Sequence, residues 1–500
     1  MIYESNIAQI SDDNGIQLTF DEIRLKTIRA AQNLQKLGYE PKQVFGLMAK
    51  NSHNVAPIVF ALISIGCPVN TLDPTFGKVE LIHMLSITKP ALMFCDVEAY
   101  DLVKECLTEM GNGAKIFTFG GSKDGSKPVE DLLSKTENED DFVPLNIDGE
   151  NEIAFIACSS GTTGLSKGVC LSHASLLSVM DRGTSINSSD VILCFSSLYW
   201  LSGIVFLFYG TLNGSTRIIT TDAYAPELQL RFIEQYKVTV TMNAPHHLTL
   251  MLKSAAFAKT DLSSLKRQMT GGSRTPMIVK NEMNSCLPNG RVYVGYGLTE
   301  ISGIAAIDDP LSKDKDTVGR LNVGIHVKII DENGKRCGIN VNGEICLKTN
   351  YKCLGYYENP KATNELFDSE GFILTGDVGH FDEHGYLYIV DRKKEFLKYC
   401  NSQISPSEIE SFLIGSPHIK SVCVVGVPDD FAGDLPAAVV VKTEGSNITE
   451  KDVFDLVSEH YSDIYKLRGG VFFVDSLPAT PSGKILRRKA KEIVLSLLSS

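Results

Sequence analysis

Residues 159–168 read Ser-Ser-Gly-Thr-Thr-Gly-Leu-Ser-Lys-Gly and lie between two short apolar runs, Ile153–Cys158 and Val169–Leu171. The runs are partly β-branched and predict buried strands. Two buried strands joined by a segment this rich in glycine and hydroxyls leave a loop whose backbone N–H groups can turn inward. Such a loop can cradle a polyphosphate, with Lys167 as a mobile counter-charge. It is not a Walker loop, which needs Gly-Lys-Ser/Thr leading into a helix; here Lys167 stands between Ser166 and Gly168 and a strand follows.

A chain of 500 residues exceeds a single core, and 43% hydrophobic with 22% charged residues predicts a globular fold. The net charge of -12 argues against wholesale binding to nucleic acid or an anionic membrane. An anionic ligand must therefore be held by local cations and amide dipoles. Twelve cysteines without a C-x-x-C pair read as small buried thiols of a reducing compartment. No secretory signal is visible at Met1–Ser5, and the apolar stretch near Val55–Val69 is too short to span a bilayer. The sequence ends Leu498-Ser499-Ser500, which is not the Ser-Lys-Leu peroxisomal address, so cytosol is the expected compartment.

Strand and helix patterns alternate through the first lobe. Thr19-Phe20-Asp21-Glu22 is a capping box opening a helix toward Gly38, Val44–Ala49 reads as a strand, Ala56–Ile65 as a buried helix and Ala91–Cys95 as a strand. This alternation predicts parallel sheets covered by helices. Beyond about residue 317 the texture becomes antiparallel. Val327–Ile330 and Glu344–Leu347 flank an Asp331–Gly334 turn, and a second hairpin turns at Asp382–Gly385. After Asp391 a compact α+β unit follows, with a helix over Pro406–Leu413, strands over Val422–Val427 and Ala437–Val441, and a helix starting at Thr449.

Four further clusters carry chemistry. Gly295-Tyr296-Gly297-Leu298-Thr299-Glu300 follows the apolar Val292–Val294, so a flat base could lie against Tyr296 while glycine lets backbone approach. Glu300 suits magnesium, a hard cation that prefers carboxylate and phosphate oxygens. In Thr375-Gly376-Asp377 the carboxylate can accept both ribose hydroxyls, and in Asp391-Arg392-Lys393-Lys394 the arginine can donate to the same sugar or to phosphate. Thr480-Pro481-Ser482-Gly483-Lys484-Ile485-Leu486-Arg487-Arg488 presents one lysine on a fixed loop ahead of a basic helix. Each cluster alone also reads as an ordinary turn or a solvated basic run.

Together and in this order, the five motifs resemble the adenylate-forming superfamily of acyl-CoA synthetases, 4-coumarate–CoA ligases and beetle luciferases, from about residue 10 to residue 490. The resemblance implies an α/β fold: a large N-terminal domain of two helix-covered, mostly parallel sheets plus a distorted antiparallel barrel (1–391), and a small mobile α+β C-terminal domain (392–500). It implies an enzyme that uses ATP, Mg2+ and coenzyme A to convert a carboxylic acid, most simply a fatty acid, into an acyl-adenylate and then an acyl-CoA. By the same resemblance Ser159, Ser160, Gly161, Thr162, Thr163, Gly164 and Lys167 hold phosphates, and Thr163 and Glu300 serve the metal. Tyr296, Gly297 and Thr299 flank the nucleotide, Asp377 and Arg392 take the ribose, and Lys484 bridges carboxylate and α-phosphate. Lys394 is the hinge, and Lys398 and Gln403 lie on the loop that replaces Lys484 for thioester formation.

The implied acid pocket includes Tyr199, Trp200, Gly271 and Gly272. It departs from the family in carrying Tyr199 where coumarate ligases and luciferases carry histidine. Cys400-Asn401 stands where relatives usually have Lys-Gly, beside the route of the pantetheine arm. The alternatives are a luciferase-like monooxygenase and a catalytically silent acyl or nucleotide binder. The partners implied are small molecules, without nucleic acid or a transmembrane segment.

Overall fold

The computed structural model describes residues 4–159, 166–178, 186–312, 314–351, 353–400, 402–480 and 483–499. Among the described residues the strands form four sheets. The first runs, edge to edge, Lys127–Pro128, Lys115–Phe119, Leu92–Asp96, Phe45–Met48, Val69–Thr71, Ile153–Ser159 and Lys167–Ser172. Its pairs are parallel except the last, in which Ser159 lies opposite Lys167. The strands flanking the glycine-rich loop are thus a hairpin on a sheet edge.

The second sheet orders Arg320–Leu321, Gly303–Ile307, Arg291–Leu298, Arg267–Gly271, Val240–Asn243, Val191–Cys194, Thr216–Ile219, Ile7–Ser11 and Gln17–Thr19. Its middle is parallel and its ends antiparallel. Parallel strands buried on both faces need apolar side chains throughout, which is why Leu92–Asp96 is buried along its whole length. The helix Phe20–Lys36 starts with the reciprocal Thr19–Glu22 cap that the sequence predicts.

The helix Leu201–Asn213 is apolar on nearly every side and buried from Gly203 to Gly210. Such a helix needs cover all round. Ile204, Leu207 and Phe208 pack into the core of the first sheet, while Val205, Phe206 and Tyr209 pack against Ile192, Val240 and Met269 of the second. It is the shared wall of the two sheets.

The third sheet is antiparallel, Ile325–Ile330, Gly343–Thr349, Ile373–Phe381 and Leu387–Arg392. The Asp331–Gly334 turn closes on Lys335 and Arg336 rather than on the Glu344 strand, so the first hairpin is longer than the sequence pattern suggests. The second turns tightly, with Phe381 opposite Leu387.

The fourth sheet begins at Leu397 and holds Leu397–Tyr399, Ser402–Ile404, Ile419–Asp429, Gly433–Lys442 and Gly470–Phe473. It has its own core of Ile404, Ile409, Leu413, Val424, Val440 and Val457, among others, and forms a separate C-terminal domain. Its helices Pro406–Leu413 and Glu450–His460 lie where the sequence places them. The connection is clamped by Asp391, whose Oδ2 accepts from Ser405 Oγ at 2.5 Å and from the Ser407 amide at 3.3 Å. Among the described residues the cysteines are free thiols, Cys400 being the exposed one, and no helix is long and apolar enough to cross a membrane.

Candidate active site

Three distant segments meet at one carboxylate. Asp377, in the third sheet, is buried; its Oδ2 accepts from Tyr296 Oη at 2.7 Å and its Oδ1 faces Arg392 Nε at 3.2 Å. Register explains the second contact, because Asp377 and Arg392 are cross-strand partners. Burial raises the Asp377 pKa above the usual carboxylate range, opposed by Arg392, Tyr296 and Lys484. Burial, with Asp377 beside it, also holds the Tyr296 phenol well above its ordinary value, so it stays a donor. Each carboxylate oxygen keeps a second lone pair, so Asp377 can still receive a diol.

The strand Arg291–Leu298 continues past the apolar run Val292–Val294 through Gly295-Tyr296-Gly297. The antiparallel strand Gly303–Ile307 extends the pairing, with a register shift between Tyr296 and Gly297. A Cβ at Gly297 would come within 2.2 Å of Gly303 O, so glycine is required there.

Lys484 arrives from the C-terminal domain. Thr480 and Lys484 close its hairpin: the Thr480 amide donates to Lys484 O at 2.8 Å and the Lys484 amide to Thr480 Oγ1 at 2.9 Å. Gly483 has φ +85° and sits against the His247 ring, where a Cβ would come within 2.3 Å of Nε2. Burial first, then Arg392, lowers the Lys484 pKa, while Glu395 and Asp377 oppose the shift. A second contact joins the lobes, Lys253 Nζ donating to Ile419 O. His247 stacks on Tyr224 at 3.6 Å between ring centroids, and burial lowers its pKa to about 3. His246 beside it is lowered to about 4, also chiefly by burial.

Glu300 accepts from Tyr356 Oη at 2.9 Å, and Lys167 Nζ lies 4.8 Å from the centre of the Tyr356 ring. Tyr356 is held there because residues 355–357 pair along the hairpin strand: the Cys170 amide donates to Gly355 O and the Tyr357 amide to Gly168 O. Ser159 and Lys167 bound the glycine-rich loop; Ser160, Gly161, Thr162, Thr163 and Gly164 lie outside the described residues, as does Asn401. Among the described residues no three carboxylate, histidine or cysteine side chains gather as a metal site. A carboxylate joined through Tyr356 to Lys167 nevertheless suits magnesium, which takes one or two carboxylates together with phosphate oxygens.

Tyr199 is buried with Phe76 and Trp200 in the core of the first sheet, its ring edge-on to both. Burial raises its pKa. Gly271 ends a strand of the second sheet and Gly272 follows it, and a Cβ at Gly271 would come within 2.5 Å of Gly295 O. Lys398 and Gln403 are exposed cross-strand partners on the Leu397–Ile404 hairpin, and Cys400 at its tip has φ +46°. Lys394 is exposed in the connection between the third and fourth sheets. The structure therefore gathers Tyr296, Asp377, Arg392 and Lys484, and separately Lys167 and Glu300. It leaves Lys394, Lys398 and Gln403 on the surface.

Residues 3–357 match the model of the AMP-binding enzyme family and residues 408–484 that of the AMP-binding enzyme C-terminal domain, so the chain belongs to the AMP-binding enzyme family. It is 31% identical over 494 residues to luciferin 4-monooxygenase of Photinus pyralis, covering 96% of this chain and 90% of the relative. It is 30% identical over 485 residues to probable 4-coumarate–CoA ligase 1 of Dictyostelium discoideum, covering 93% and 88%. The anthranilate CoA ligase AuaEII in complex with anthranoyl-AMP has the same fold, with TM-score 0.89 at 21% identity over 99% of this chain and 96% of that one.

Proposed function

We propose that the protein is an AMP-forming acid–CoA ligase acting on a carboxylic acid with an apolar, fatty body. The observation that carries this reading is the seating of the Lys484 hairpin of the C-terminal domain on the N-terminal lobe, Gly483 against the His247 ring, together with the meeting of Tyr296 and Arg392 at the buried Asp377. An acid carboxylate attacking the α-phosphorus of ATP is an anion approaching an anion, so charge neutralisation and alignment do most of the work. A carboxylate oxygen–phosphorus bond forms and the bond to pyrophosphate breaks. The thiol of coenzyme A then attacks the acyl carbon, loses its proton and releases AMP.

In this reading Asp377 and Arg392 hold the ribose and Tyr296, with Gly297 and Thr299, borders the nucleotide. Residues 159–168 hold the phosphates, with Lys167 among them. Magnesium held by Glu300 and Thr163 would neutralise phosphate charge. Lys484 bridges the acid carboxylate and the α-phosphate. Residues 1–391 and 392–500 act as two domains hinged at Lys394, and rotation brings Lys398 and Gln403 toward the acyl group for the second step. Tyr199, Trp200, Gly271 and Gly272 border the acid, and the apolar helix Leu201–Asn213 supports a fatty body.

The test is pyrophosphate release across fatty and aromatic acids, with and without coenzyme A. Release with fatty acids and thioester formation on adding coenzyme A are expected. Silence with every acid overturns the reading.

A further inference from the structure

Lys484 and the pair Lys398 and Gln403 stand on one domain, in different settings. The Lys484 hairpin is seated on the N-terminal lobe, Gly483 against His247, while Lys398 and Gln403 are exposed. A domain that turns as a body offers the cleft one of these groups at a time. Contacts across the seam between the lobes therefore belong to the orientation that seats Lys484.

Other contacts cross that seam besides Gly483 on His247. Ile414, at the end of the helix Pro406–Leu413, packs against the core of its own domain and against that of the second sheet. Ile278, on the helix Met277–Ser285, approaches Gly415, where a Cβ would lie 3.3 Å from the Ile278 Cδ1. Lys253, which caps the helix Pro245–Leu252, donates from Nζ to Ile419 O. The first two contacts are apolar and tolerate sliding. The third is a charged donor on a single carbonyl, and it depends on direction.

The helix Pro245–Leu252 thus holds the C-terminal domain at two points, through His247 near its start and Lys253 at its end. At ~1.5 Å of rise per residue the two lie about 9 Å apart along one rigid axis. One contact leaves a domain free to pivot; two so spaced oppose the pivot. Lys253 is exposed overall, although its hydrogen bond across the seam is part-buried, so the packing of its own lobe does not depend on it. We propose that Lys253 is a positioning residue for adenylation: by holding Ile419 O it favours the orientation that seats Lys484 over the one that brings in Lys398 and Gln403. This rests on the acid–CoA ligase reading. A contact made in one orientation alone shifts the balance between the two by its own worth. Since each orientation serves one half-reaction, the ratio of the two rates follows that balance whichever orientation prevails.

The test measures both half-reactions with the acid that releases most pyrophosphate. Adenylation is read as pyrophosphate release without coenzyme A, and thioester formation as acyl-CoA made from presynthesised acyl-adenylate and coenzyme A. Lys253→Met keeps the stem and removes the donor. It should lower the ratio of the first rate to the second about three- to tenfold, the scale of one hydrogen bond from a charged group. Lys253→Arg, which keeps a charged donor, should stay near the wild-type ratio. A merely structural lesion lowers both rates together and leaves the ratio where it was. An unchanged ratio in Lys253→Met overturns the proposal, and so does a ratio in Lys253→Arg as low as in Lys253→Met. Should Lys253→Met not fold, Lys253→Ala is read in its place. If no acid releases pyrophosphate, the ligase reading fails, and tryptic cleavage after Lys393 or Lys394 in the free protein judges the contact separately. Cleavage about three- to tenfold faster in Lys253→Met than in wild type and Lys253→Arg supports it; equal rates overturn it.

Discussion

Tyr356 joins two residues of the proposed phosphate end of the site, its hydroxyl on Glu300 and its ring under Lys167. Tyr356→Phe keeps the ring and removes the hydroxyl, and should lower the adenylation rate about tenfold, the scale of one hydrogen bond to a charged group. Tyr356→Leu should cost more, because Lys167 then loses its aromatic seat; pyrophosphate release at varied ATP measures both. Lys484→Ala should slow adenylation by about 10²–10³ while leaving thioester formation from presynthesised acyl-adenylate much less affected. Equal loss in both half-reactions would discredit its role. Asp377, Arg392, Glu300 and Lys484 were legible in sequence because each sits in a short motif of unusual composition. Tyr356 and His247 were not. Tyr356 is placed by pairing with a strand nearly two hundred residues away, and His247 gains its importance from a glycine in the other domain, which local pattern does not encode.

The lysine-bearing hairpin docks through a contact only glycine permits. Gly483→Ala brings a methyl into the His247 ring and strains a backbone at φ +85°. It should reduce adenylation about 10²-fold, the cost of misplacing a catalytic group by an ångström, without lowering the melting temperature of the N-terminal lobe. Adding His247→Ala should recover part of the rate. The same contact carries a pH dependence. His247 has a pKa lowered from 6.5 to about 3, so the exposed form binds the proton more tightly and is favoured below about pH 6.5. Stability should fall by about 2 kcal/mol between pH 7 and pH 5 on account of His247, and denaturant titration should show this acid limb shrinking in His247→Leu. At this scale the helices beginning at Phe20, Pro406 and Glu450 were readable from caps and a leading proline. The continuation of strand Arg291–Leu298 through its glycines was not, because the partner that stabilises it follows only after the turn at Thr299–Ile301.

Across the whole molecule, three sheets end at Arg392 and the fourth starts at Leu397, so a few exposed residues carry the connection between domains. Trypsin should cut at Lys393 or Lys394 in the free protein, and a non-hydrolysable acyl-adenylate analogue should slow that cleavage at least about tenfold by population of one closed arrangement. Undiminished cutting would argue against a ligand-closed hinge. The parallel-then-antiparallel organisation was legible from alternation and turn chemistry. Sheet order was not, since the strand Ile7–Ser11 pairs beside Thr216–Ile219 across more than two hundred residues.

Gly271 lies so close to Gly295 O that even a methyl group is excluded there. If Gly271 borders the acid, as proposed, that side of the pocket is closed to innovation by point mutation. On that reading a duplicated copy of this protein would acquire a taste for a different acid by remodelling elsewhere, for instance along the apolar helix that carries Gly203, Phe206 and Gly210.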